Sequence, residues 1–227
     1  MASYHEPLPP HAIAAPVPSG VEIPPEPPEV GARTLYVASR LLAGATAFFF
    51  LAFVFAYFYL RALDQDHLWQ TAKAKPDQGL GAAIVVCVVL SALATAVASR
   101  RLGEGSRPWL TTAVAGLVLG LAVVVLQCVE YTSQGFGPTR GGFASVFCAW
   151  TALYAIAVLV TMYWLETHVA TGMRARRGGG NRADAGGEDA DIADPNRLIR
   201  PGMAACAFYW AFLAGIGVLT YVVLYLL

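Results

Sequence analysis

The chain has 227 residues, 57% of them hydrophobic and only 13% charged. A soluble domain carries about 25% charged residues, so the composition excludes an ordinary water-soluble globular protein. The formal net charge is +0, so bulk charge points to no partner, and nucleic acid is not an expected one.

The charges are segregated. Charge-free runs cover 41–60, 78–99, 108–129, 141–165 and 201–227. Each reaches the ~20 residues needed to cross a ~30 Å hydrocarbon core. The runs are continuously apolar and lack the alternation of a barrel strand, so each reads as a helix. The expected fold is an all-α integral membrane bundle of five transmembrane helices, at about 34–62, 79–99, 108–131, 142–166 and 202–226. These lie in one domain over 34–227, behind a Pro-rich tail over 1–33.

With five spans, one side of the membrane holds Arg33, Arg40, Arg100, Arg101, Arg107, Arg174, Arg176, Arg177, Arg182, Arg197 and Arg200. The other holds Arg61, Lys73, Lys75 and Arg140. Basic residues favour the cytoplasmic side, which places the N-terminus inside and the C-terminus outside.

In chain order, residues 1–30 contain nine of the fourteen prolines and the acids Glu22, Glu26 and Glu29. Such a segment cannot bury a core and is expected to be a disordered or polyproline-like cytoplasmic tail. It lacks the basic start and apolar stretch of a signal peptide.

The first span, Thr34–Ala62, has eight aromatic residues among the twelve of Phe48–Tyr59. Rings on every face suit packing against neighbouring helices, lipid or a second protein, generic membrane packing being the simpler reading. Arg61 closes the span, and His67 follows in a polar loop. The second span carries Ser91, Thr95 and Ser99 at four-residue intervals, a small polar stripe that lets helices approach closely.

The third span opens at Pro108-Trp109 and contains Gly116-x-x-x-Gly120, another close-packing face. It ends in Gln127, Glu130 and Tyr131, spaced to share one helix face. At 1.5 Å per residue Glu130 falls about 30 Å from the helix start, near the outer interface. A carboxylate there costs less than at mid-membrane, and two readings stand side by side: a group held by Gln127 and solvent, or one with a specific role, such as tying the helix to the loop at 135–140.

The fourth span, Gly142–Glu166, begins with Ser145 and carries the stripe Phe147, Thr151, Tyr154, Val158 and Thr161, which is expected to face a neighbour rather than lipid. Residues 168–200 are rich in Gly, Arg and Asp and read as a flexible cytoplasmic loop, with Arg174, Arg176 and Arg177 within reach of anionic headgroups. The last span carries Tyr209 and Trp210 near mid-depth, with Phe212 beside them; their depth suggests packing against protein.

Cys87, Cys128, Cys148 and Cys206 all fall in apolar runs and form no CxxC pair, so they read as small buried residues. His5, His11, His67 and His168 all fall outside the predicted spans, His168 just past the fourth. Membrane haem and copper sites need imidazoles within helices, so no cofactor or metal is expected on this chain. Phosphate loops and nucleophile constellations are missing too, and no catalytic residue is assigned. The spans hold few central charges and no inverted repeat, which leaves a standalone permease the weakest reading.

Several motifs occur in a meaningful order. Gly103, Arg107 and Trp109 precede the third span, and Gly120 lies within it. Gln127, Glu130 and Tyr131 then form a Q-x-x-E-Y ending. Phe143, Ser145, Phe147 and Thr151 open the fourth span; Tyr209, Trp210 and Phe212 form Tyr-Trp-x-Phe in the fifth; Arg61 closes the aromatic first span. In this order they resemble subunit III of the haem-copper (cytochrome c) oxidases, as a divergent five-helix bacterial member. The resemblance spans residues of about 40–225.

That resemblance implies a non-catalytic accessory subunit that stabilises the catalytic subunit and binds lipid in aerobic electron transport. Its partners would be oxidase subunits I and II, which would hold the haem and copper, and membrane lipids. Its location would be the bacterial inner membrane. Gln127, Glu130, Tyr131, Ser145, Phe147, Thr151, Tyr209, Trp210, Phe212 and Arg61 would be structural and lipid contacts. The family's buried ionisable residues are largely replaced here, by Gly44-Ala45-Thr46-Ala47 in the first span, Tyr154 and Ala157 in the fourth, and Ala211 and Ala214 in the fifth. The alternative is therefore a subunit-III-like accessory protein of a nitric oxide reductase or quinol oxidase, which need not serve a proton pathway.

Overall fold

Backbone polar groups in hydrocarbon must bond within their own segment, and the apolar runs accordingly fold as five helices long enough to cross a membrane. The computed structural model describes residues 28–64, 69, 75–106, 108–179 and 195–227, among which there is no strand. Residues 1–27 of the Pro-rich tail, His67, and the Gly/Asp-rich stretch 180–194 lie outside the described residues. The helices are α1 (Pro28–Ala62), α2 (Gln78–Gly103), α3 (Trp109–Ser133), α4 (Gly142–Gly179) and α5 (Pro195–Tyr221), and α5 runs on into a π-helical turn, Val222–Leu226. The chain is thus built as an all-α, multi-pass membrane protein.

Four boundaries differ by more than two residues from the sequence expectation: α2 runs through Arg100 and Arg101 to Gly103 instead of ending at Ser99, and three more lie on α1, α4 and α5. Helix α1 starts at Pro28, six residues before Thr34, because proline is tolerated in a first turn where its missing N–H has no partner. Helix α4 continues thirteen residues past Glu166 to Gly179, and α5 begins at Pro195. The expected flexible loop over 168–200 is therefore helical over 168–179 and 195–200. An apolar run marks where hydrocarbon ends, but Ala, Met and Arg sustain a helix beyond it. His168 consequently sits within α4 rather than after it. Helix α2 ends where Gly105 takes φ 70°, a left-handed stop that glycine adopts freely.

Helices α2, α3, α4 and α5 form a closed cycle of neighbours, and α1 packs outside it against α4 and α5. The closest pair is α2 and α3. There the Ser91 hydroxyl donates to the Gly116 carbonyl at 2.6 Å, and a Cβ on Gly116 would come within 2.8 Å of Thr95 Oγ1. The small stripe on α2 and the glycine of α3 thus meet, as close-packing faces do in membranes.

Two large apolar clusters fill the bundle, and a small third one, Ala43 with Tyr209 and Leu213, joins α1 to α5. One of the two large clusters, around Val88, Val123, Phe147, Trp150, Tyr154 and Trp210, runs to the C-terminal end of α5. The other, around Leu102, Trp109, Leu165 and Met203, fills the opposite end. The outer surface is apolar too. It is aliphatic on α3, through Val118, Leu121, Val125 and Val129, and aromatic on α1, through Phe48, Phe49, Phe55, Phe58 and Tyr59. Of α1's rings only Phe50 and Tyr57 are buried.

Candidate functional site

The conspicuous polar group is Glu130. The sequence reading placed it at an interface, partly in solvent or tied to the following loop. In the structure its side chain is 1% exposed, enclosed by the bundle. A buried carboxylate without partners costs several kcal/mol, so its hydrogen bonds decide whether the site is tenable. Gln127, one turn back on α3, donates its amide N–H to Glu130 Oε2 at 2.7 Å. The Tyr225 hydroxyl, from the π-helical turn, donates to Glu130 Oε1 at 2.5 Å. The loop over 135–140 does not receive the carboxylate; only the main-chain carbonyl of Glu130 faces that way, accepting from Gln134 N at 2.9 Å and Ser133 Oγ at 3.1 Å.

Tyr225 is itself fixed on several sides. Its ring lies over Gly81 of α2, where a Cβ would overlap the ring, and packs at 5.7 Å between centroids against Phe147 of α4. Its carbonyl accepts from Gln78 Nε2 at 3.0 Å. Arg61, at the end of α1, donates to the main-chain oxygen of Leu227 at 2.9 Å. The π-helical turn is therefore bonded to α2 and α3, and Leu227 just after it to α1, at one end of the bundle. A π turn leaves i→i−4 bonding and redirects side chains, which is how Tyr225 reaches a carboxylate on another helix.

Other polar side chains also join helices. The Tyr131 and Thr151 hydroxyls pair at 2.8 Å between α3 and α4, and Thr151 donates to the Phe147 carbonyl at 2.7 Å. Trp210 Nε1 donates to Ser91 Oγ at 3.0 Å, linking α5 to the α2–α3 contact. Trp150 Nε1 donates to Thr220 Oγ1 at 2.8 Å, and the Tyr154 hydroxyl to the Leu213 carbonyl at 3.2 Å, linking α4 to α5. Tyr209 pairs with Thr46 of α1 at 2.9 Å and stacks with Phe212. The depth of Tyr209 and Trp210 implied packing against protein, and both are buried within this bundle.

The remaining sequence-derived candidates separate. Phe147, Thr151, Tyr154, Val158 and Thr161 are all buried, so that stripe does face neighbouring helices. Ser145 is exposed and caps locally, donating to the Pro138 carbonyl at 2.6 Å. The cysteines are free; Cys206 is buried, Cys87 and Cys148 half-buried, and Cys128 is exposed, against the expectation that all four would be buried.

Sequence reasoning missed Tyr225, Trp150, Thr220 and Thr46. Tyr225 had a usable signal: with alternating topology, the ends of α3 and α5 lie on the same side of the membrane, so a tyrosine near the end of α5 falls at the depth of Glu130.

Chemically, the cluster holds a carboxyl group in a fixed orientation away from bulk solvent. Among the described residues no group of three or more His, Cys, Asp or Glu is placed to hold a metal ion. The chain matches no protein-family model and no curated protein.

Proposed function

We propose that this chain is a non-catalytic accessory subunit of a respiratory haem-copper oxidase, a divergent subunit III of a bacterial inner-membrane complex. In this reading the N-terminus is cytoplasmic and the C-terminus outside. The partner subunits I and II carry haem and copper, and this chain packs against the catalytic subunit and membrane lipid.

The observation that supports the reading most is how the motif residues are used. Glu130, Tyr131 and Thr151, and Trp210 come from three different motifs, and their polar atoms bond between helices, with Gln127 bracing Glu130 from within α3. Side chains committed to holding helices together suit a packing subunit. The aromatic outer face of α1 offers the surface for a partner.

A specific feature favours the nitric oxide reductase or quinol oxidase alternative. Thr46, in the stretch Gly44–Ala47 that stands where the family carries a buried glutamate, is committed to Tyr209, and Tyr154, at a histidine position, to the Leu213 carbonyl. Neither provides a carboxylate or an imidazole for a proton pathway.

Gentle-detergent purification of the chain from its native membrane tests both. Recovery with haem- and copper-containing oxidase subunits supports the first reading. Recovery with a haem protein active on nitric oxide or quinol supports the second. A chain that elutes alone, with no haem absorbance in the peak, rejects both.

A further inference from the structure

Next to the Glu130 cluster, the α2–α5 cycle leaves a small pocket with a mainly apolar lining and a few polar groups. A cavity of about 20 Å³ lies among Gly81, Ile84 and Val85 of α2, Gln127 of α3, Thr151 and Tyr154 of α4, and the Gly217–Tyr225 stretch. That is room for one water, which needs about 10–15 Å³. Volume alone does not decide occupancy, because apolar cavities of this size stay dry; polar partners do.

Gln127 supplies the deciding group. Its side chain is 4% exposed. One amide N–H goes to Glu130 at 2.7 Å, and the carbonyl oxygen with the second N–H is what remains for the cavity the residue lines. Around the same space Tyr154 spends its proton on the Leu213 carbonyl, and Thr220 spends its own on the Ile216 carbonyl while accepting from Trp150. Each hydroxyl oxygen has two lone pairs, so the Tyr154 oxygen still has acceptor capacity. Gly217 makes the space: a Cβ there would run into the Tyr154 hydroxyl.

We infer that the interior of the α2–α5 cycle binds one ordered water molecule, seated between the Gln127 amide and the hydroxyls of α4 and α5. The water completes the hydrogen bonding of Gln127 and so fixes the amide that holds Glu130. It extends the Tyr225–Glu130–Gln127 chain from the C-terminal end of the bundle to Tyr154.

Filling the cavity tests this, because wet and dry cavities respond with opposite sign. Val85→Ile adds one methylene to the lining. If the site holds water, the substitution expels it, leaves Gln127 short of a partner and lowers the unfolding midpoint in detergent by about 2–4 °C. Filling a dry cavity leaves the midpoint unchanged or raises it, and that result overturns the inference.

Steric overpacking would also lower the midpoint, so Val85→Ile is repeated on Gln127→Met. With no amide to satisfy, the effect of Val85→Ile disappears or reverses if water is the ligand. An undiminished loss in that background overturns the inference. Independently, a high-resolution map of the purified protein is expected to show one density peak within hydrogen-bond distance of the Gln127 amide; a featureless cavity in such a map overturns it.

Discussion

Glu130 accepts one hydrogen bond from Gln127 and one from Tyr225, with almost no exposure, so each donor carries a large share of its solvation. Tyr225→Phe removes one donor and leaves a buried oxygen unpaired, a loss of about 1–3 kcal/mol. Thermal unfolding of the purified chain in detergent reads it directly. Glu130→Gln is expected to cost less than Tyr225→Phe. A glutamine there still accepts from Tyr225 through its oxygen, and Gln127 needs only to rotate its amide by half a turn to accept from the new N–H. The opposite ranking would mean that the negative charge, not the hydrogen-bond pattern, holds the site together. The carboxylate and its Gln127 neighbour were legible in sequence because three residues on a helix separate them. Tyr225 was not, because it stands 95 residues away and reaches Glu130 only through the π turn.

At the scale of elements, the α2–α3 contact depends on the absence of a side chain at Gly116. Gly116→Ala would place its Cβ within 2.8 Å of Thr95 Oγ1, so either Thr95 gives up its hydrogen bond to Ser91 or the helices separate and stretch the bond from Ser91 to the Gly116 carbonyl. Overpacking of this kind costs about 1–3 kcal/mol. Gly44→Ala in α1 is the control, since nothing lies within 4 Å of its Cβ position, and a freed helical glycine exchanged for alanine is neutral or stabilising by about 0.4–1 kcal/mol. Equal effects at the two glycines in the same melting assay would contradict this account of the contact. The spans were legible as elements because hydrocarbon demands about 20 apolar residues. Their ends were not, because α4 leaves the apolar run and stays helical to Gly179. Apolarity reports where lipid is, and helix propensity reports something else.

At the scale of the molecule, which helix faces which was the least legible property. In water an apolar stripe marks the buried face of a helix, but here the outer surface is as apolar as the interior, so periodicity in hydrophobicity loses its meaning. What distinguishes the faces is small and polar residues inside, and this is why the Ser91–Thr95 stripe and the Phe147–Thr161 stripe could be placed while α1 could not. Helix α1 has aromatic residues inside and out, and the structure separates them: Phe50 is 0% exposed, whereas Phe48 is 78% and Phe55 69% exposed. In lipid, an exposed phenylalanine gains little over leucine, because acyl chains contact either equally well. Phe48→Leu with Phe55→Leu is therefore expected to leave the melting of the isolated chain within about 0.5 kcal/mol of the parent. Phe50→Ala, which opens a void against Trp150 and Tyr154, costs about 3–5 kcal/mol in the same assay. A protein partner responds differently from lipid. Rings that stack into another subunit contribute beyond their area, so a partner on this face makes the double leucine variant lose association while its own fold is intact. The measurement is recovery of the proposed partner subunits with tagged parent and variant from the same membranes, normalised to the folded tagged chain. A clear drop in recovery at unchanged melting assigns the aromatic face of α1 to the complex. Equal recovery assigns that face to lipid and moves the proposed interface to the aliphatic surfaces of α2, α3 and α4.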